Sequence, residues 1–209
     1  MLTKKFRKQR ELLRSAIEAI WGMNMRFLQR VSVTFVVCAA SVFGQNSAPV
    51  SPTNVTDVFE RAVSGPERAT LALAQKMPED RYDFVPVKGE FKSVRTFAQL
   101  AKHIAVDNYV NGAALLGEKP PFESGPHESG PDSIRSKAEV MKFLRDSFVY
   151  LHKATATVNE RNLMEIVDLP DGDRVARLTV VTAAISHPWD IYGQMIEYLR
   201  MNGIDPQKI

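Results

Sequence analysis

Four stretches of this chain repeat apolar residues at a period near 3.6, and none alternates with a period of two for long enough to found a sheet. That pattern restricts it to helices packed on helices. The clearest stripe is Val140, Phe143, Leu144, Phe148, Leu151, Ala154 and Val158, opened by Ser136 with Glu139 three residues on. Such a pair is a capping box, in which each side chain satisfies the other residue's free amide. Before it, Phe97, Leu100, Ile104, Ala105, Val110, Ala113, Ala114 and Leu115 form another stripe, with Ser93 as its expected cap and Gly117 and Pro120-Pro121 ending it. A first helix is expected from a Thr56-Asp57 cap to Met77-Pro78, broken or kinked at Gly65-Pro66. The last is expected from Arg174 to Gly203, after a strand-like tail at Ile166 to Leu169 and a tight turn at Pro170-Asp171-Gly172-Asp173. The fold class is therefore all-α: a four-helix bundle with a long crossover connection between helices one and two, preceded by an N-terminal signal-like helix. Tyr82, Phe84 and Val85 should pack the crossover, residues 79–90, against the bundle.

The first quarter of the chain has a different composition. Met25 to Arg30 is a short positive head, and Val31 to Gly44 an uncharged run of 14 residues. A spanning helix needs about 20 apolar residues, so the run reads as a secretory signal. The expected division is a leader over 1–44, cleaved near Gly44 and Gln45, a linker over 45–54 and the bundle over 55–206. The true start is then Met23 or Met25, and the product is exported, periplasmic or secreted, touching a membrane only through its leader. Lys4, Lys5, Arg7, Lys8, Arg10 and Arg14 leave open a basic amphipathic helix on a membrane or nucleic acid. Cys38 leaves open a lipoprotein, although Val37 before it is larger than the residue normally found there.

Charge separates the two parts as well. Residues 1–44 hold 8 of the 27 basic and 2 of the 24 acidic residues, which leaves 19 against 22, a net −3, on the remainder. The body therefore lacks an electrostatic footprint for nucleic acid. Cys38, the single cysteine, would leave with the leader, so the body has no disulfide, no zinc–thiolate site and no cysteine nucleophile.

Chemistry is therefore left to histidines and carboxylates. In the last helix His187, Asp190 and Gln194 fall on one face among Ala183, Ala184, Ile196 and Leu199, and in the second helix His103 precedes Asp107 by four residues. Imidazole with carboxylate suits zinc, iron, nickel or manganese, and facing helices of a bundle can converge such groups on one ion. The other two histidines read as solvated: His152 between Arg145, Asp146 and Lys153, and His127 in a Gly/Pro-rich loop. That loop repeats Glu-Ser-Gly-Pro at 123–126 and 128–131, which reads as local low complexity without function. Trp189 and Tyr192 read as packing or dimer-contact aromatics, and Gly193 and Gln194 as close helix packing.

Motifs spaced along the chain carry a family resemblance. Met77-Pro-Glu-Asp-Arg-Tyr-Asp-Phe-Val-Pro86, Arg95 to Ala105 with Asn108-Tyr109, and His187-Pro-Trp-Asp-Ile-Tyr-Gly-Gln194 followed by Tyr198 to Pro206 resemble the DinB-like family over about residues 55–206. The resemblance implies a four-helix bundle, often a homodimer, related to thiol-dependent S-transferases and mycothiol-dependent isomerases. It also implies a divalent metal held by one histidine of the second helix and a His-x-x-x-His pair of the fourth. His103 and His187 match the first two ligands. Ile191 occupies the third position and cannot donate to a metal, and the acid the family places three residues after its first histidine is Val106 here, with Asp107 next.

Three readings remain open on the sequence. Asp107, or less favourably Asp190, completes a two-histidine, one-carboxylate centre that supports metal-assisted transfer or hydrolysis, with Asp107 preferred because i+4 keeps it on the face of His103. Alternatively the metal is lost and His103, His187 and Gln194 persist as a buried hydrogen-bonded cluster in a non-catalytic binding or structural bundle. In the third, the pocket takes an organic ligand alone.

Overall fold

The computed structural model describes residues 54–87 and 94–207. The expected leader, start site and linker up to Thr53, and Ser93 as a cap, lie outside them. Among the described residues there are four long helices: α1 (Val55–Lys76), α2 (Phe97–Leu116), α3 (Lys137–Thr155) and α4 (Arg177–Met201). None is long and apolar enough to cross a membrane.

Capping chemistry sets the helix starts. α3 begins as the sequence predicts, with Ser136 and Glu139 forming the reciprocal capping box. For α2 the same device sits at Thr96 and Gln99, three residues beyond the cap expected at Ser93. α1 is capped by Asn54, which accepts from the Asp57 amide at 2.9 Å. Thr56 instead donates to the Val158 carbonyl and ties α1 to the end of α3.

Pro66 does not break α1. The helix runs through it, because Gly65 offers no Cβ to clash with the proline ring and Pro66 itself is buried. The Trp189 ring of α4 lies 3.4 Å from where a Cβ of Gly65 would stand, an ordinary contact distance.

α2 packs beside α3 and α4, and α1 beside α4 and α3, so the order around the bundle is α1, α3, α2, α4. α1 and α2 are therefore diagonal, which is why their connection has to cross. Tyr82 pins the crossing: it is buried and donates to the Ala74 carbonyl at 2.7 Å, while Ala98 and Phe97 donate backbone hydrogen bonds to Tyr82 and Phe84. α2 is the most enclosed helix, buried along nearly its whole length. Any polar side chain it carries near its middle must find partners inside the protein.

The last helix starts three residues later than its expected beginning at Arg174. Arg174–Ala176 is instead a strand, β2, paired antiparallel with β1 (Ile166–Asp168) in the register Ile166 with Ala176, Val167 with Val175 and Asp168 with Arg174. The turn between them uses Gly172 at φ +92. Three-residue strands are too short to show alternation, so the sequence betrays only the apolar tail and the turn.

Candidate metal centre

His103 and Asp107 lie one turn apart on α2, and His187 enters from the neighbouring α4 just before the buried Pro188. His187 Nε2 is 3.1 Å from His103 Nε2 and 2.8 Å from Asp107 Oδ2, and His103 Nε2 is 3.5 Å from the same oxygen. Side-chain exposure climbs from 5% at His103 through 20% at Asp107 to 39% at His187, so the cluster has its base in the core and its top in a cavity. That cavity, about 560 Å³, is also lined by Asn111, Glu128, Ala183, Ser186 and Asp190.

The network fixes the tautomer of His103. Its Nδ1 lies 3.0 Å from the Glu128 carbonyl, which can only accept, so in the neutral ring Nδ1 carries the proton and Nε2 presents a lone pair to the cluster. The bond between the two imidazoles then takes its proton from His187 Nε2. Asp107 Oδ2 is buried and approaches the same nitrogen to 2.8 Å, an ion-pair contact and, among the described residues, the one polar neighbour of that oxygen this close. This close contact with Asp107 holds His187 above the ordinary imidazole range; burial opposes it, Asp190 adds to it and Arg95 subtracts.

These three residues fit a divalent ion. Metal–nitrogen and metal–oxygen bonds of about 2.1 Å place neighbouring ligand atoms roughly 3.0 Å apart in an octahedral set and roughly 3.4 Å apart in a tetrahedral one. The observed separations of 2.8, 3.1 and 3.5 Å bracket those edges. Among the described residues no other group of histidines, cysteines and carboxylates converges in this way. Asp190, the less favoured candidate, lines the cavity outside the cluster. Ile191 is buried in the core.

Other expectations need correction. Gln194 is exposed and meets only Asp190, at 3.5 Å, so it does not join a buried cluster with the histidines. Gly193 faces open space instead of a packed helix. His152 is not solvated: its Nδ1 is 2.8 Å from Glu60 and its Nε2 3.0 Å from Glu67, both on α1. Its spacing from its own helix's charges hid partners on a different helix.

The repeated loop is also more than filler. Its second copy supplies the Glu128 carbonyl to His103, and its backbone is held in an unusual shape, with His127 at φ +54 and Glu128 at φ +55. Arg95 grips the His127 carbonyl at 2.6 Å. Buried Lys102, its pKa lowered chiefly by burial, donates to the carbonyls of Pro131 and Ile134. Gly130, at φ +75, lets the loop press on Phe143, Lys102 and Val106. The paired Gly-Pro steps are the sequence signal for so tight a path. The carbonyl's role has no side-chain signature at all.

Two imidazoles and a carboxylate on adjacent helices, opening on a cavity, make this a helical-bundle protein with the donor set of a divalent-metal site. The chain belongs to the DinB superfamily, whose model matches residues 65–195. It is similar in structure to a DinB-like protein from Bacillus cereus, with 17% identity and a TM-score of 0.56 over 72% of this chain and 95% of that one. It is also similar to YfiT from Bacillus subtilis, described as a probable metal-dependent hydrolase with an unusual four-helix bundle topology, with 13% identity and a TM-score of 0.54 over 78% and 96%. A conserved protein from Enterococcus faecalis matches at 15% identity and a TM-score of 0.57 over 72% and 98%. No curated protein matches the sequence significantly.

Proposed function

We propose that this protein is a divalent-metal-dependent hydrolase whose ion is held by His103, His187 and Asp107. The convergence of their three donor atoms, 2.8 to 3.5 Å apart at the base of a cavity, carries the reading. The description of YfiT as a probable metal-dependent hydrolase supports it by analogy of fold. A divalent ion there would supply Lewis acidity. The chain's own contribution is preorganisation. The Glu128 carbonyl holds the proton of His103 on Nδ1, and burial of the ring stops it rotating away from the cluster. Asn111 and Ser186, both on the cavity wall, offer polar groups that can orient a bound substrate.

The test is metal analysis of the purified chain after growth and dialysis with zinc, nickel and manganese. Near-stoichiometric metal that disappears in His103→Ala is the expected result. A specific observation favours a second reading, a metal-free structural bundle: the His187 contacts with Asp107 and His103 already tie α4 to α2. Under that reading the wild-type chain emerges from dialysis without metal. Export with removal of a leader, and a homodimeric state, belong to the same proposal. N-terminal sequencing of the protein from its producing cell and light scattering of the purified product test them.

A further inference from the structure

Apart from the ligand cluster, two carboxylates among the described residues face this cavity, and no described lysine or arginine lines it. Glu128 comes from the loop before α3 and Asp190 from α4, so the charges enter from separate elements. Among the described residues, neither pairs with a lysine or arginine. The ring nitrogen nearest Glu128 is His103 Nδ1, at 4.0 Å, and the Glu128 side chain is 64% exposed. Asp190 has a long contact from Gln194, at 3.5 Å, and a charge interaction with His187 three residues before it. The nearby guanidinium, Arg95, is bound to the His127 carbonyl and does not line the cavity. Glu128 stands in this place although its left-handed backbone disfavours any residue with a Cβ. Two anchors hold it there, the Arg95 bond to His127 and the His103 bond to its own carbonyl.

We propose that the cavity selects substrates bearing an ammonium or guanidinium group a few bonds from the carbonyl presented to the His103–Asp107–His187 cluster, and discriminates against anionic ones. The inference rests on the metal-dependent reading. A divalent ion with Asp107 leaves a net positive floor, which attracts an electron-rich oxygen, while Glu128 and Asp190 make the walls negative. A molecule with a cationic tail satisfies both fields at once. One that presents its carbonyl to the floor and a carboxylate tail to the walls meets repulsion there.

Three hydroxamates of matched tail length test this on the zinc-loaded full chain, whose zinc content is measured first: β-alanine hydroxamate with an ammonium tail, butyrohydroxamate with a neutral one, and succinate monohydroxamate with a carboxylate. Calorimetry should show the ammonium compound binding roughly three- to tenfold tighter than the neutral one, as expected for partly exposed ion pairs, and the carboxylate compound weaker than both. In the double variant Glu128→Gln, Asp190→Asn the ratios should fall toward one. Equal affinities, a preference for the carboxylate tail, no binding of any of the three, or a preference that survives the double variant would overturn the inference. If the chain takes up no zinc, the proposed function fails and this falls with it. Zinc uptake with the wrong order of tails sinks the charge selection alone.

Discussion

Whether the cluster is an ion pair or a ligand set depends on one proton, that on His187 Nε2. Asp107 stabilises this proton and lifts His187 above the ordinary imidazole value of about 6.5. A metal needs the lone pair of that nitrogen, so binding to the doubly protonated ring must release one proton, whereas the neutral ring can carry its proton on Nδ1. The raised pKa means that proton and metal begin to compete at a higher pH than they would at an unperturbed histidine. Zinc affinity, measured by chelator competition from about pH 8 down to about pH 5.5, should therefore fall by roughly tenfold per pH unit once below the folded pKa of His187. A flat profile would show that His187 is not a ligand. Among these residues, Asp107 was readable in the sequence because i+4 on a helix is a geometric certainty once the helix is known. The His103 tautomer was not, because its determinant is a main-chain carbonyl presented by a loop whose backbone leaves the usual regions. Gln194 was misread because a polar stripe need not point inward along its whole length: His187 and Asp190 line the cavity beside α2, and Gln194, one turn further on, is exposed.

At the level of elements, the clamp between α1 and α3 does for those helices what the ligand cluster does for α2 and α4. Burial disfavours the imidazolium of His152, but hydrogen bonds and charge from Glu67 and Glu60 outweigh it, so the folded pKa lies above the unfolded value. Thr155 fixes the orientation of Glu60 by donating to its other oxygen at 2.7 Å. A raised pKa contributes stability that is complete below the unfolded pKa of about 6.5 and is lost as pH rises through the folded one. Urea melts of the wild-type chain should show this loss above neutrality. His152→Ala should flatten that part of the profile and, by leaving two carboxylates without their shared partner, cost about 1 kcal/mol below pH 6.5. An unchanged slope would mean that the clamp contributes nothing to stability. The helices themselves were legible because burial of one stripe imposes a 3.6 period. Their ends were less so: Ser93 reads as the cap of α2, although Thr96 with Gln99 three residues on carries the capping-box signature that begins the helix.

For the whole molecule, the ring order α1, α3, α2, α4 makes the ligand cluster a cross-link between adjacent helices that follow different connections. An ion at His103, Asp107 and His187 would bind the folded chain, while the unfolded chain holds these residues far apart in sequence, so binding must stabilise the fold by mass action. At a free zinc concentration about a hundredfold above the dissociation constant the gain is about 2.7 kcal/mol. For a domain of this size that raises Tm by roughly 5–11 °C. Scanning calorimetry with and without zinc should show the rise, and a chelator should reverse it. Asp107→Asn should remove most of the increment, whereas His152→Ala should lower Tm in both conditions and leave the increment intact, because it sits on the other pair of helices and shares no partner with the cluster. Zinc that raised Tm equally in Asp107→Asn would have to be bound elsewhere. The two variants together therefore separate a metal cross-link from stabilisation by generic surface binding.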